Sequence, residues 1–217
     1  MSEELKAWAA NSYFKGDDGM PMRWFHGTDV EVPFNIFAYC EEASLGFHFG
    51  TSSAANDRLA QIFRMTNEPE GSIIPVYCRA ERPLMLNDLF TWDQWDVVSA
   101  LRDCDLITDE EAEFIADSAS AEMLYAAIEE AGYDCVLYTN VCESRNEGGE
   151  SLMVWRAAQI KGMCSASFDL ADPRILSQLP VSDEELRWYE SREAEINRCR
   201  DELRALRETC SPAPSVG

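Results

Sequence analysis

The chain has 217 residues, 46% of them hydrophobic and 11% aromatic, which is enough apolar mass for one well-formed core and excludes disorder throughout. Its 40 acidic against 18 basic residues give a formal net charge of -22, which repels phosphate backbones and anionic lipid and excludes a generic nucleic-acid or membrane-surface binder. A local basic pocket, or an acidic face that mimics nucleic acid or meets a basic partner, is compatible with that charge.

Residues 3–14 set Leu5, Trp8, Ala9 and Tyr13 on one helical face, predicting a short helix ended by Gly16-Asp17-Asp18-Gly19. Compact apolar runs at 22–26 and 46–49 are strand-like, and the stretch between them, with Pro33 and Asn35, is irregular. Thr51 and Ser52 are N-caps for a helix whose Leu59, Ile62 and Phe63 face inward. The run 72–78 is rich in β-formers, with Pro75 marking an edge position or bulge, and 83–86 continues extended. Asn87 caps a predicted helix holding Leu89, Trp92, Trp95, Val98 and Leu101, whose aromatic stripe reads as core. Thr108 with Glu111 is a capping box opening another helix, and 121–131 is a further helix stopped by Gly132.

Strands at 134–138 and 151–155 flank a Gly-rich, acidic loop at 140–149. Ser182 with Glu185 forms a second capping box, opening a long helix dense in Glu and Arg. On it Tyr189, Ile196, Cys199, Leu203 and Leu206 form a seam that Arg192 interrupts; fewer than three clean heptads favour docking on the main body over a coiled-coil dimer. Residues 211–217 are too small and polar to fold.

No apolar run approaches the ~20 residues of a transmembrane helix. Residues 1–14 mix Glu3, Glu4 and Lys6 with Trp8, unlike a signal peptide, so a soluble, cytoplasmic protein is expected. The 8 cysteines (40, 78, 104, 135, 142, 164, 199, 210) contain no C-x-x-C pair, and the two histidines lie near none but Cys40. No metal site is expected, and the thiols are expected to be buried and reduced.

Both histidines stand at the ends of short strands beside glycine, in Phe25-His26-Gly27-Thr28 and Gly46-Phe47-His48-Phe49-Gly50-Thr51. Glycine lets backbone approach a ligand closely while an imidazole exchanges a hydrogen bond with it; each histidine alone is more readily a half-buried one satisfied by backbone. There is no G-x-S-x-G, no G-x-x-x-x-G-K and no G-x-G-x-x-G after a strand, which removes serine-nucleophile, P-loop and dinucleotide-fold readings.

The order of those two motifs, then Gly132-Tyr133-Asp134-Cys135-Val136-Leu137-Tyr138, then Glu150-Ser151-Leu152-Met153-Val154-Trp155 and Ala158-Gln159-Ile160-Lys161, resembles the ADP-ribosyltransferase family. It is most similar to the ADP-ribosyltransferase-like domains of phage and mobile-element polyvalent proteins, over about residues 22–161. The resemblance implies an α+β fold: a split β-sheet core flanked by helices, with an extra C-terminal helix. It divides the chain into an N-terminal helix and linker (1–21), an ADP-ribosyltransferase-like domain (22–165) and an acidic helical extension (166–217).

The resemblance also implies NAD as co-substrate in the cleft between the two halves of the sheet. His26 falls where the family's first-strand histidine contacts the adenosine-side ribose, and Thr28 lies within reach of the same ribose. Gly27 falls where backbone groups hold the nicotinamide amide. His48, after Phe47, falls where many members carry the tyrosine that stacks on nicotinamide, so Phe47 and His48 are expected at the NAD site. Aligning Trp155 and Ala158-Gln159-Ile160 with the family's last core strand puts Ser151, not an acid, at the catalytic glutamate's position.

A carboxylate is wanted there because cleaving the nicotinamide bond develops oxocarbenium character. The adjacent Glu150 points to the other face unless a bulge or loop edge turns it inward. Otherwise Glu143 reaches over from the preceding loop, or the site is inactive. Asn140 and Glu143 resemble the asparagine and glutamate that polyvalent-protein domains carry after this strand, so Asn140 joins Ser151 among the expected NAD contacts. Arg156 and Lys161 could meet NAD phosphates, as could Asn56 and Arg58, although such residues are more often ordinary surface groups.

The implied activity is mono-ADP-ribosylation of a macromolecular target, a protein with a basic surface, and a host component if the gene is viral. Nucleic acid and membrane are not expected partners. A catalytically impaired binder or inhibitor with an acidic interaction surface fits Ser151 and the charge. An NAD-dependent RNA 2'-phosphotransferase fits the second histidine but not the shortage of basic residues.

Overall fold

The strand-like runs assemble into two sheets in the computed structural model, which describes residues 3–29, 34–37, 45–66, 71–118, 120–143 and 149–210. Pro33, Cys40, the middle of loop 140–149 and residues 211–217 lie outside the described residues. One sheet orders β1 (Arg23–Thr28), β3 (Ser72–Cys78) and β7 (Ile160–Gly162), all antiparallel. The other orders β2 (Phe47–Phe49), β6 (Glu150–Val154), β5 (Cys135–Thr139) and β4 (Pro83–Leu86), with β4 parallel to β5. A parallel pair needs a long crossover, here supplied by α3 (Gln94–Asp103), α4 (Asp109–Ser118) and α5 (Ala121–Glu130). The fold is α+β, a split sheet flanked by helices.

The sheets meet where Phe25 N donates to Gly50 O and Gly50 N donates to Phe25 O, each at 3.0 Å. Phe25 opposes Pro75 in β3, and with its backbone turned to Gly50 that pair is a non-hydrogen-bonded one, so Pro75 needs no N–H there. The edge position expected for Pro75 is thereby corrected: β3 is the central strand of its sheet. On its far side β7 pairs with Val76, Tyr77 and Cys78, and the Pro75 carbonyl accepts from Met163 N at 3.3 Å just beyond that ladder.

Cross-strand register puts Leu84, Val136, Tyr138, Met153, Ser151 and His48 on one face of the second sheet. That face packs on α3, α4 and α5 through Leu101, Ile115, Leu124 and Ile128. The opposite face sends Phe49, Leu137 and Leu152 against Trp24 and Val76 of the first sheet.

α1 (Glu3–Ala9) buries Leu5, Trp8 and Ala9 against Tyr77, Met163 and Phe168. Tyr13, expected on that helical face, lies beyond the helix and is exposed. α2 (Ser52–Thr66) is capped by Thr51, whose Oγ1 accepts from Ala54 N at 3.1 Å; it buries Ile62 but leaves Phe63 exposed, contrary to expectation.

The helix expected from Asn87 begins only at Gln94, capped by Asp93, because Phe90 and Trp92 hold left-handed backbone at φ +63° and +53° and no right-handed helix passes through them. The expected aromatic stripe therefore splits, with Trp92 buried and Trp95 exposed. Both capping boxes form as read: Thr108 N donates to Glu111 Oε2 at 2.8 Å, and Ser182 N to Glu185 Oε2 at 3.0 Å. Cys78, Cys135 and Cys199 are buried, but Cys104 and Cys164 are exposed.

α6 (Asp183–Cys210) docks on the body as read, burying Ile196, Cys199 and Leu203 in the same core as α5. Arg192, the interruption in its seam, is only 8% exposed; its guanidinium lies 4.9 Å from the Phe47 ring centroid and 5.2 Å from that of Tyr125. Around it Arg156 and Arg200 pair with Glu129, Arg204 with Glu130 and Arg207 with Glu111. Asn35 ties the early chain to this end: its Nδ2 donates to Leu176 O and Leu179 O, each at 3.0 Å, and its backbone N donates to Glu185 Oε1 at 2.7 Å.

Leu203→Ala is expected to lower stability by about 2–5 kcal/mol, read as a lower urea midpoint at unchanged m-value. An unchanged midpoint would place α6 outside the cooperative core.

Candidate active site

His26 stands where β1 faces the second sheet. Its Nδ1 lies 2.7 Å from His48 O, and since a carbonyl only accepts, Nδ1 carries the proton and Nε2 is left as an acceptor. Phe37 and Phe49 pack on the ring at centroid distances of 5.2 and 5.3 Å. Burial pulls its pKa below the usual histidine value, outweighing the bond to His48 O, and the Arg58 charge lowers it further.

His48 is held on both ring nitrogens. Nε2 donates to Leu45 O at 2.7 Å and Nδ1 accepts from Tyr138 Oη at 2.8 Å, which fixes a neutral ring and its tautomer. Burial lowers its pKa to about 4, with the His26 and Arg58 charges acting in the same direction against Leu45 O and Asp88. Trp92 packs over the pair, 5.3 Å from His48 and 4.4 Å from Tyr138 by ring centroids.

From Tyr138 the hydrogen bonds continue to the position where an acid was sought. Ser151 lies directly opposite Tyr138 in the β5–β6 ladder and shares a side-chain hydrogen bond with it. Asn140 Nδ2 donates to Ser151 Oγ at 3.0 Å and to Glu143 Oε2 at 2.9 Å, while Glu143 N donates to Asn140 Oδ1 at 2.8 Å. Burial raises the Tyr138 pKa well above that of an ordinary phenol, as do the charges of Glu143 and Asp88, so Tyr138 stays neutral. The structure thus joins His26, His48, Ser151, Asn140 and Glu143 in one connected set. Glu150, of opposite parity to Ser151, pairs with Thr139 and is exposed.

Gly27 is required by packing: a Cβ there would come within 2.5 Å of Ala55 O in the first turn of α2. Strand alternation also turns its polar backbone sideways. Because Phe25 directs its N–H and C=O at Gly50, Gly27, two residues on, directs its own to the same side, into the seam between the sheets. Thr28 is buried at the end of β1, and Phe47 is buried between the Phe37 ring and the Arg192 guanidinium.

Two residues that could meet NAD phosphates have other partners. Arg156 is paired with Glu129 and Glu193, and Lys161 is fully buried, donating to Asp172 O and, at 3.0 Å, to Arg174 O. Asn56 donates to Ser52 O at 2.8 Å within its own helix, and Arg58 is exposed.

Three residues that the sequence analysis gave no site role complete the site: Tyr138, Trp92 and Asp88. Asp88 accepts from Phe90 N at 3.0 Å and Trp92 Nε1 at 3.2 Å with one oxygen, and from Val141 N at 2.9 Å and Cys142 N at 3.4 Å with the other. One carboxylate therefore staples the β4–α3 loop to the loop that carries Glu143. The sequence points to Asn87 as a helix cap; it is the neighbouring Asp88 that binds free amides, and those belong to loops rather than to a helix.

Chemically, the seam offers a histidine nitrogen as acceptor, a backbone N–H and C=O side by side on Gly27, and the remaining oxygen of a positioned carboxylate. Such a set suits a ligand with vicinal hydroxyls, a carboxamide and a developing positive charge. Among the described residues, no group of three or more His, Cys, Asp or Glu is gathered to hold a metal ion, and no helix is long and apolar enough to cross a membrane. A family model described as "ADP-Ribosyltransferase in polyvalent proteins" matches residues 16–169. No curated protein and no solved structure matches.

Because both histidines are neutral when folded, with pKa values below the usual 6.5, the unfolded chain binds more protons than the folded one in mildly acid solution. The contribution of His48 to stability is complete above pH 6.5 and is expected to fall by roughly 3 kcal/mol as pH drops towards 4. His48→Gln should flatten that part of the stability-against-pH curve measured by urea unfolding, and an unchanged slope would show that His48 is not the group responsible.

Proposed function

This chain belongs to the ADP-ribosyltransferase family of polyvalent proteins, and on that premise we propose that it cleaves NAD and transfers ADP-ribose to a protein acceptor with a basic surface. NAD supplies the ADP-ribosyl group, whose bond to nicotinamide breaks with oxocarbenium-like positive charge on the ribose. The observation that carries the reading is the bridging amide of Asn140, which holds the Glu143 carboxylate against Ser151, the strand position where an acid was expected. A short serine leaves room on the strand, and the loop glutamate supplies the missing charge.

In this reading His26 Nε2 accepts a ribose hydroxyl, with Thr28 beside it, and the Gly27 backbone receives the carboxamide. Glu143 accepts a second ribose hydroxyl and offsets the developing positive charge; Asn140 is its positioning residue. His48 and Tyr138 are both neutral, so they fix the relay without adding a competing charge. Phe47 acts from the core, keeping β2 and hence the His48 carbonyl in place beneath His26.

A second reading, an ADP-ribosyltransferase fold that binds without turnover, is favoured by the same relay, since Ser151 and Asn140 direct their polar groups at protein partners. NAD consumption and transfer of labelled ADP-ribose to lysate proteins separate the two. Glu143→Gln is expected to lower kcat on the order of 10²-fold, with Glu150→Gln within about twofold of wild type. Equal losses in the two variants would overturn the assignment of Glu143, and a wild-type protein that consumes no NAD would leave the binding reading.

A further inference from the structure

We propose that the exposed aromatic surface made by Phe90, Trp95 and Val141 beside Glu143 docks a lysine- or arginine-bearing segment of the acceptor polypeptide. The proposal deepens the transfer reading above by naming where, and by what chemistry, the acceptor is held.

Phe90 and Trp95 are each 69% exposed and Val141 50%, so none contributes to the core. Phe90 moreover holds a left-handed backbone, φ +63°, which costs on the order of 1 kcal/mol in a residue with a Cβ. The fold thus keeps a large apolar ring in strained backbone and in water. The backbone that carries the ring is fixed, because Asp88 takes Phe90 N at 3.0 Å and Val141 N at 2.9 Å on its two oxygens. One carboxylate therefore sets Phe90 and Val141 next to each other, with Val141 two residues from Glu143. Trp95 follows in the first turn of α3, where Asp96 also accepts from the Thr91 hydroxyl and draws the helix start onto the same loop.

Charge selects the occupant. Residues 83–101 include Asp88, Asp93 and Asp96 and no lysine or arginine. α6 is net acidic too, but arginines lie among its carboxylates, Arg198 pairing with Glu195 and Glu202, and Arg204 with Glu130. An aromatic surface on an unbalanced acidic stretch attracts cationic side chains, by ring faces at short range and by net charge at longer range. A phosphate backbone would be repelled by the same carboxylates, so the fitting partner is a basic polypeptide.

The test uses the full chain and a fluorescein-labelled peptide of six Arg-Gly repeats, with binding read by anisotropy at physiological salt. Phe90→Gly removes the ring and relieves the left-handed strain, and Trp95→Ala puts a stronger helix former on an exposed helical position, so neither lowers the Tm. The double variant leaves the net charge unchanged and is expected to bind at least 10-fold more weakly, while its NAD consumption stays within about twofold of wild type. Glu184→Gln with Glu190→Gln, which removes charge from an exposed part of α6, is expected to change binding less than twofold.

Equal binding by the aromatic double variant and wild type, or equal weakening by the α6 charge variant, overturns the proposal. So does a dT12 oligonucleotide that binds more tightly than the peptide and is weakened by the aromatic variant. Because the peptide reads the surface without turnover, aromatic-dependent binding by a wild-type protein that consumes no NAD would support the docking surface and overturn only the transfer reading.

Discussion

Two backbone hydrogen bonds, those exchanged by Phe25 and Gly50, set the geometry on which the rest of the molecule depends. Their energy is modest, about 1 kcal/mol each, and the apolar layer of Trp24, Phe49, Val76, Leu137 and Leu152 supplies most of the attraction between the sheets. What the pair supplies is registration. It brings the His26 ring beneath the carbonyl of His48, turns the polar edge of Gly27 into the seam and tolerates proline in a central strand. It also requires glycine at position 50, where a Cβ would lie 2.9 Å from Ser151 Oγ and collide with the relay that positions Glu143.

Much of this scaffold is legible in the sequence because its signals are local. The β-rich run at 72–78, the capping boxes at Thr108 and Ser182, and the N-cap at Thr51 each express a preference that a few neighbouring residues satisfy on their own. The misreadings share the opposite cause. Asn87 looks like a helix cap followed by an apolar stripe, but the carboxylate of the next residue, Asp88, reaches amides more than 50 positions away, and Trp92 is captured by His48 and Tyr138 instead of continuing a helix. Tertiary pairing overrides local periodicity there.

The candidate site divides along the same line. His26, His48, Ser151, Asn140 and Glu143 could each be named from motif order, while the relay that joins them could not, since it passes through Tyr138 and depends on strand parity. Parity also distinguishes the two carboxylates: Glu150 is the nearer neighbour of Ser151 in sequence, yet it shares no face with it. Arg192 taught the same lesson on α6, where a charged residue read as an interruption proved to be a buried contact with Phe47 and Tyr125. The acidic composition is likewise less uniform than it looks: α6 is net acidic yet carries arginines that pair with Glu129 and Glu130 of α5, while residues 83–101 hold three aspartates and no basic residue.

The ties made by Asn35 bear on how the chain reaches this state during synthesis. Its partners at Leu176, Leu179 and Glu185 lie 141, 144 and 150 residues downstream, so the segment near β1 stays without its native hydrogen bonds until most of the polypeptide has been made. At bacterial and eukaryotic elongation rates that interval is on the order of 10 s, far longer than hydrophobic collapse takes. A nascent chain would therefore present the apolar strands of the first sheet before the elements that complete them exist. Its productive folding is a late event, one that waits for contacts between the two ends of the fold.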